Sequence, residues 1–167
     1  QILYNAFQAT LNKGDEVIIP APYWVSYPDM VILAQGTPVF IETKKENNFK
    51  ITVDMLKEVI NEKTKWIVLN SPSNPTGTCY NKEELTEIGN LLEKYENILI
   101  LTDDIYEKII YENFTFCTIA EAVPNLKART LTVNGVSKAF SMTGWRIGYA
   151  GGPESLIKSM AKIQSQS

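Results

Sequence analysis

At 167 residues the chain has the length of one domain, and its apolar fraction of 44% is enough for a buried core, which argues against disorder. A net charge of −3 with charges of both signs interspersed argues against a nucleic-acid surface. No apolar stretch approaches bilayer length and no secretory leader is read at the start, while the absence of histidine removes Ser–His–Asp hydrolysis and most zinc chemistry.

In chain order, residues 3–11 read as a helix ended by Asn12-Lys13-Gly14, and residues 16–19 as a strand stopped by Pro20. A helix is expected over 23–34, a strand over 37–42, and a helix over 53–61 with Thr52 as its cap. A buried strand over 65–69 follows, then a helix over 82–95 capped by Asn81, and a strand over 98–102. A short connection passes through Ile109 to Tyr111. Beyond it come a strand over 130–133, a loop with Lys138, a strand over 146–150 and a last helix over 153–163. Such alternation predicts an α/β fold, a mostly parallel sheet with helices on both faces. Repeats and low-complexity linkers are absent. Cys79 and Cys117, the only cysteines, lack metal-ligand spacing, so no metal site is expected and a reduced, cytoplasmic setting is the simplest expectation.

Three apolar strands lead into chemically useful residues. Gly135-Val136-Ser137-Lys138 is followed by Gly144-Trp145-Arg146-Ile147-Gly148, which pairs an amine with a fixed cation. A lysine amine can form a Schiff base with an aldehyde cofactor, and an arginine fork can clamp a phosphate. The run 97–102 ends at Asp103-Asp104-Ile105-Tyr106 and delivers carboxylates at a strand's carboxyl end. A carboxylate there could keep a pyridine nitrogen protonated, and Tyr106 could bond a phenolic oxygen on the same ring. The run 64–70 enters Ser71-Pro72-Ser73-Asn74-Pro75-Thr76-Gly77, where Pro75 restrains Asn74 and Gly77 frees the far side of the turn. Asn74, Asp103 and Lys138 thus follow the carboxyl ends of three strands, the edge at which open α/β sheets bind ligands. Each residue alone has an ordinary reading: a solvated lysine, a surface-paired arginine, a helix-capping aspartate, a turn asparagine. Trp24 and Tyr27 read equally well as the core face of the helix they open.

Taken together, four blocks resemble the pyridoxal-phosphate-dependent class I and II aminotransferases, most of all the aspartate aminotransferase branch. They are Ala21-Pro22-Tyr23-Trp24-Val25-Ser26-Tyr27-Pro28, Asn74-Pro75-Thr76-Gly77, Asp103-Asp104-Ile105-Tyr106, and Ser137-Lys138 through Gly148. They stand in the family's order, and the resemblance covers essentially the whole chain. It implies that pyridoxal 5'-phosphate is the cofactor and that Lys138 is both the Schiff-base lysine and the catalytic proton carrier. It implies Arg146 for the cofactor phosphate, and Asp103 rather than Asp104 for the pyridine nitrogen. Tyr106 and Asn74 resemble the ligands of the ring's phenolic oxygen, and Trp24 the aromatic that stacks on the ring.

One position departs from the pattern. Many family members carry a phosphate-binding serine three residues before the lysine, where this chain has Gly135. The resemblance further implies that residues 1–167 are part of the large cofactor-binding domain, with an N-terminal segment and a C-terminal small domain lying outside them. The arginine that grips the substrate's α-carboxylate would lie in that small domain. The expected activity is transfer of an amino group from an L-amino acid, aspartate first, to a 2-oxo acid, 2-oxoglutarate first, by a full-length homodimer. A prephenate or aromatic aminotransferase, another enzyme of the same scaffold, and a non-catalytic truncated product are the alternatives.

Overall fold

The computed structural model describes residues 1–111 and 113–166; Ser167, which the sequence reading sets after the last helix, lies outside them. Six strands form one sheet: β1 (Glu16–Ala21), β2 (Thr37–Glu42), β3 (Thr64–Asn70), β4 (Leu99–Asp103), β5 (Thr130–Gly135) and β6 (Gly148–Gly151). Their order across the sheet is β2-β1-β3-β4-β5-β6, parallel except for β6, which runs antiparallel to β5. The helices are α1 (Ile2–Thr10), α2 (Ser26–Leu33), α3 (Val53–Val59), α4 (Lys82–Leu92), α5 (Ile119–Ala122) and α6 (Glu154–Gln164).

The period of two along a strand sorts the core into two layers. Val17, Ile19, Trp66, Val68, Leu101 and Val133 face α1, α2 and α6, where they meet Phe7, Val31, Leu156 and Met160. Their neighbours Ile18, Ile67, Leu69 and Ile100 face α3, α4 and α5, against Leu56, Leu85, Ile88, Leu92 and Ile119. Burial on both faces explains why these strands read as continuous apolar runs. Residues 65–69 and 98–102 were therefore predictable as strands, and they lie within or overlap β3 and β4.

Most boundaries shift by a few residues from those expected of the sequence: α4 ends at Leu92 rather than 95, α3 at Val59 rather than 61, and β5 runs on to Gly135. Pro20 does not stop β1, which continues to Ala21. Pairing of β1 with β3 ends at Ile18, while pairing with β2 continues through Pro20 and Ala21. A residue without an N–H is tolerated where one neighbouring ladder has already ended. Helix α2 begins at Ser26 rather than Tyr23. Pro28 accounts for this, since in a helix begun at Tyr23 its ring would press on the carbonyl of Trp24; in the first turn it costs no hydrogen bond. Arg146 is not in a strand: it follows a 3-10 turn, Thr143–Trp145, with a left-handed φ of 55°, and β6 starts two residues later. Helix α5 and the 3-10 segment Pro124–Arg129, which fill the crossover between β4 and β5, carry no periodic signal that the sequence reading used.

Among the described residues no helix is long and apolar enough to cross a membrane, and no group of three or more histidine, cysteine or acidic side chains is arranged to hold a metal ion.

Candidate active site

The first five strands lie in the order 2-1-3-4-5, so the chain reverses direction across the sheet between β1 and β3. Ligand crevices of open α/β sheets form outside the carboxyl ends of the strands at such a point. A cleft of about 640 Å3 opens there. Its lining draws Trp24 and Tyr27 from beyond β1, Asn70 from the end of β3 and Asn74 from the loop after it, Asp103 from the end of β4 and Tyr106 from just beyond it, and Lys138 and Arg146 from beyond β5. All six residues singled out from the sequence therefore line one cleft.

Asp103 is the last residue of β4 and is buried, as is Asp104 beside it. The two carboxyls take different directions. Asp103 lines the cleft, and its Oδ2 accepts the Tyr27 hydroxyl at 2.6 Å. Asp104 does not line the cleft; its Oδ1 accepts the Thr102 hydroxyl at 2.6 Å. Burial pushes the Asp103 carboxyl above the usual carboxylate range, while the bonds from Tyr27 and from the Ile105 amide pull it back. Burial raises Asp104 to about 7, with the Thr102 hydroxyl again opposing the rise. Tyr27, buried against Asp103, is pushed well above the ordinary phenol value, so its hydroxyl remains a donor.

Asn74 sits on a loop tied at several points. Gly77 takes a φ of 72°, and the turn closes through Gly77 N–H to the Ser73 carbonyl at 2.8 Å and Ser73 N–H to Thr78 at 2.9 Å. Asn70, the last residue of β3 and the register partner of Asp103, braces this loop from below. Its Nδ2 donates to the Asp103 carbonyl at 2.8 Å, and its Oδ1 accepts the Asn74 N–H at 2.7 Å. One amide thus links the strand ends that carry Asp103 and Asn74.

Lys138 lies on the turn after β5, exposed, with Nζ 5.8 Å from the centre of the half-buried Tyr106 ring. That is within the range of a cation–π attraction. Arg146 donates from Nη1 to the Thr143 carbonyl at 2.9 Å, a bond across the 3-10 turn that precedes it. A left-handed backbone at a non-glycine residue is uncommon, and such strain gathers at functional sites. Of the two adjacent rings after β1, Trp24 lines the cleft, set edge-on to Tyr27 at 5.4 Å; Tyr23 stacks on Phe40 outside it.

The glycine at 135 has a physical cause. A Cβ there would come within 3.0 Å of both the Ile147 carbonyl and Ile105 Cδ1, because β5 and β6 pair at Gly135 and Gly148. A serine at this position could not be added without moving β6 or Ile105. Sequence reasoning missed Tyr27 and Asn70 as parts of the site. Their signal was faint: a polar atom at the end of a buried strand, and a hydroxyl on an otherwise apolar helix face.

Fold and cleft together describe an open α/β protein whose cleft gathers an amine, a guanidinium, a buried carboxylate, a phenol and an amide at one sheet edge. The chain belongs to the aminotransferases of class I and II: the model of that family matches residues 1–167. Members of this family depend in general on pyridoxal phosphate. The chain is 60% identical over 167 residues to a probable aspartate/prephenate aminotransferase of Rickettsia typhi, and 57% identical to the aspartate/prephenate aminotransferase of Cereibacter sphaeroides. In both cases the match covers 100% of this chain and 42% of the relative. The crystal structure of the aspartate aminotransferase from Rhizobium meliloti superposes with a TM-score of 0.98 at 51% identity, over 99% of this chain and 42% of that one.

Proposed function

We propose that the full-length protein is a pyridoxal-phosphate-dependent aminotransferase that moves the amino group of an L-amino acid, aspartate first, to a 2-oxo acid such as 2-oxoglutarate. The observation that carries the reading is the convergence of Lys138, Asp103, Tyr106, Asn74, Arg146 and Trp24 on one cleft at the sheet's carboxyl edge. The donor set suits pyridoxal phosphate in kind: a guanidinium for a phosphate, a buried carboxylate for a ring nitrogen, a phenol and an amide for a ring oxygen. The cleft volume, about 640 Å3, lies within the usual range of small-ligand sites.

Pyridoxal phosphate, when bound, supplies an aldehyde that captures amines and a protonated ring that draws electrons from the substrate's Cα. Arg146 would grip the phosphate through paired N–H donors. Asp103 would hold the proton on the ring nitrogen. Asn74 and Tyr106 would fix the ring through its phenolic oxygen, and Trp24 would cover one ring face and keep water from it. Lys138 would hold the aldehyde carbon in the resting enzyme. Once displaced by substrate, its Nζ would take up the Cα proton, which a positioned amine can do at short range.

Among the described residues Arg146 is the only guanidinium lining the cleft, and this reading assigns it to the phosphate. We therefore read residues 1–167 as the cofactor-binding part of a larger enzyme, in which a second cation from outside this chain orients the substrate's α-carboxylate. On the same reading the intact protein is a cytoplasmic homodimer. Prephenate stands as a second amino acceptor, favoured by the names of the relatives from R. typhi and C. sphaeroides. The test is a panel of amino donors and acceptors on the full-length protein. Aspartate with 2-oxoglutarate should give steady turnover, and prephenate should replace 2-oxoglutarate. Turnover confined to other amino acids would contradict the aspartate assignment.

A further inference from the structure

Tyr27 stands out because it belongs to the cleft without belonging to the set of residues assigned to a ligand. Its ring is packed in the core layer formed by α1, α2 and α6, only 2% exposed, while its hydroxyl reaches across the sheet's edge to Asp103. A buried polar atom is costly unless bonded, and this one spends its donor on a carboxylate oxygen, the stronger kind of hydrogen bond. We propose that Tyr27 is a positioning residue for the amino-transfer site, its hydroxyl holding the Asp103 carboxylate charged and aimed so that Asp103 can keep the ring nitrogen of pyridoxal phosphate protonated. This inference rests on the function proposed above.

The surroundings make Tyr27 the natural control on Asp103. Burial alone drives that carboxyl toward its neutral form, and a neutral carboxyl cannot pair with a pyridinium. Two bonds oppose burial, from the Tyr27 hydroxyl first and the Ile105 amide second. The amide belongs to the backbone and is fixed; the hydroxyl is the one contribution that a side chain sets. Other charged or titratable groups of the cleft are Tyr106, Lys138 and Arg146, with Asp104 just beyond β4. Among the described residues α1 and β5 bring no titratable side chain to the lining, which there consists of Gln1, Ile2, Leu3, Val133, Asn134 and Gly135.

The test measures the affinity of the full-length protein for pyridoxal phosphate across a pH series, with a thermal melt of each cofactor-free variant as a check on folding. Four proteins are compared: wild type, Tyr27→Phe, Asp103→Asn and the double variant. Tyr27→Phe should weaken binding on the order of tenfold, the size expected for one hydrogen bond to a charged group. The loss should set in at higher pH than in wild type as pH falls, because the unsupported carboxyl takes up its proton sooner. In the Asp103→Asn background Tyr27→Phe should cost nothing further, since the two act as one unit. A second variant, Tyr27→3-fluorotyrosine, keeps the fold and strengthens the donor; it should extend tight binding to lower pH.

An unchanged affinity profile in Tyr27→Phe would overturn the proposal. So would an equal loss in both backgrounds, which marks a role in packing alone. Wild type that binds no pyridoxal phosphate would overturn the proposed function and this inference with it. Wild type that binds normally, beside an unaffected Tyr27→Phe, would overturn this inference alone.

Discussion

Asp103 and Asp104 are adjacent acids with divergent surroundings. Asp103, the last residue of β4, lines the cleft, while Asp104, just beyond the strand, turns back to accept the Thr102 hydroxyl. Residue type and strand-end position bring forward Asn74, the pair Asp103 and Asp104, Tyr106, Lys138 and Arg146 in the sequence, and the family resemblance prefers Asp103 and adds Trp24. They could not select Tyr27, whose partner is 76 positions away, or Asn70, whose partner is 33 away, because both act through contacts that only the folded sheet creates. The Asp104 carboxyl carries a consequence for stability. Its folded value of about 7 exceeds the unfolded value of 3.8, so between these the folded state binds the extra proton. That stabilisation is complete below the unfolded value and is lost as pH rises through about 7. Asp103 is shifted in the same direction and adds to the trend. Melting temperature should therefore fall as pH rises across this window, and Asp104→Asn should flatten much of the slope. An identical slope in the Asn variant would show that Asp104 titrates normally.

Helix and strand boundaries were legible where local chemistry decides them. Asn81 accepts the Glu84 N–H while the Glu84 side chain accepts the Asn81 N–H, both at 2.8 Å, a reciprocal cap at the start of α4. Thr52 accepts the Met55 N–H at 3.3 Å at the start of α3. Asn81→Ala should cost about 1 kcal/mol of stability, read as a lower melting temperature. Cofactor binding should be unaffected, because α4 supplies no residue to the cleft's lining; a change in both would mean that the cap reaches the site through Glu84 and its ion pair with Lys50. Prolines were less legible, because their effect depends on neighbours. Pro20 is tolerated because the ladder to β3 ends before it, and Pro28 sets the start of α2 because it fits only in a first turn. The short helix α5 was not legible, since four residues hold too little of a helical period to be read.

At the scale of the whole molecule, the alternation of strands and helices fixed an α/β class in advance, and the two apolar layers of the sheet realise it. What the period of alternation could not give was strand order, which arises from how the crossovers pack and which creates the switch point beneath the cleft. Phe140, Trp145 and Tyr149 remain exposed on the segment that carries Lys138 and Arg146, as does Ile147 in the cleft's lining, apolar groups of the kind that further chain or a partner subunit covers. This agrees with a chain that accounts for 42% of the length of its relatives. The central claim is that Lys138 is the amine that captures the cofactor. It is tested most directly by incubating the full-length protein with pyridoxal phosphate, reducing with borohydride, and locating the modified peptide by mass spectrometry. The account predicts stable label on Lys138 and none in Lys138→Ala. Label on another lysine, or a folded wild-type protein that takes up no label, would contradict it.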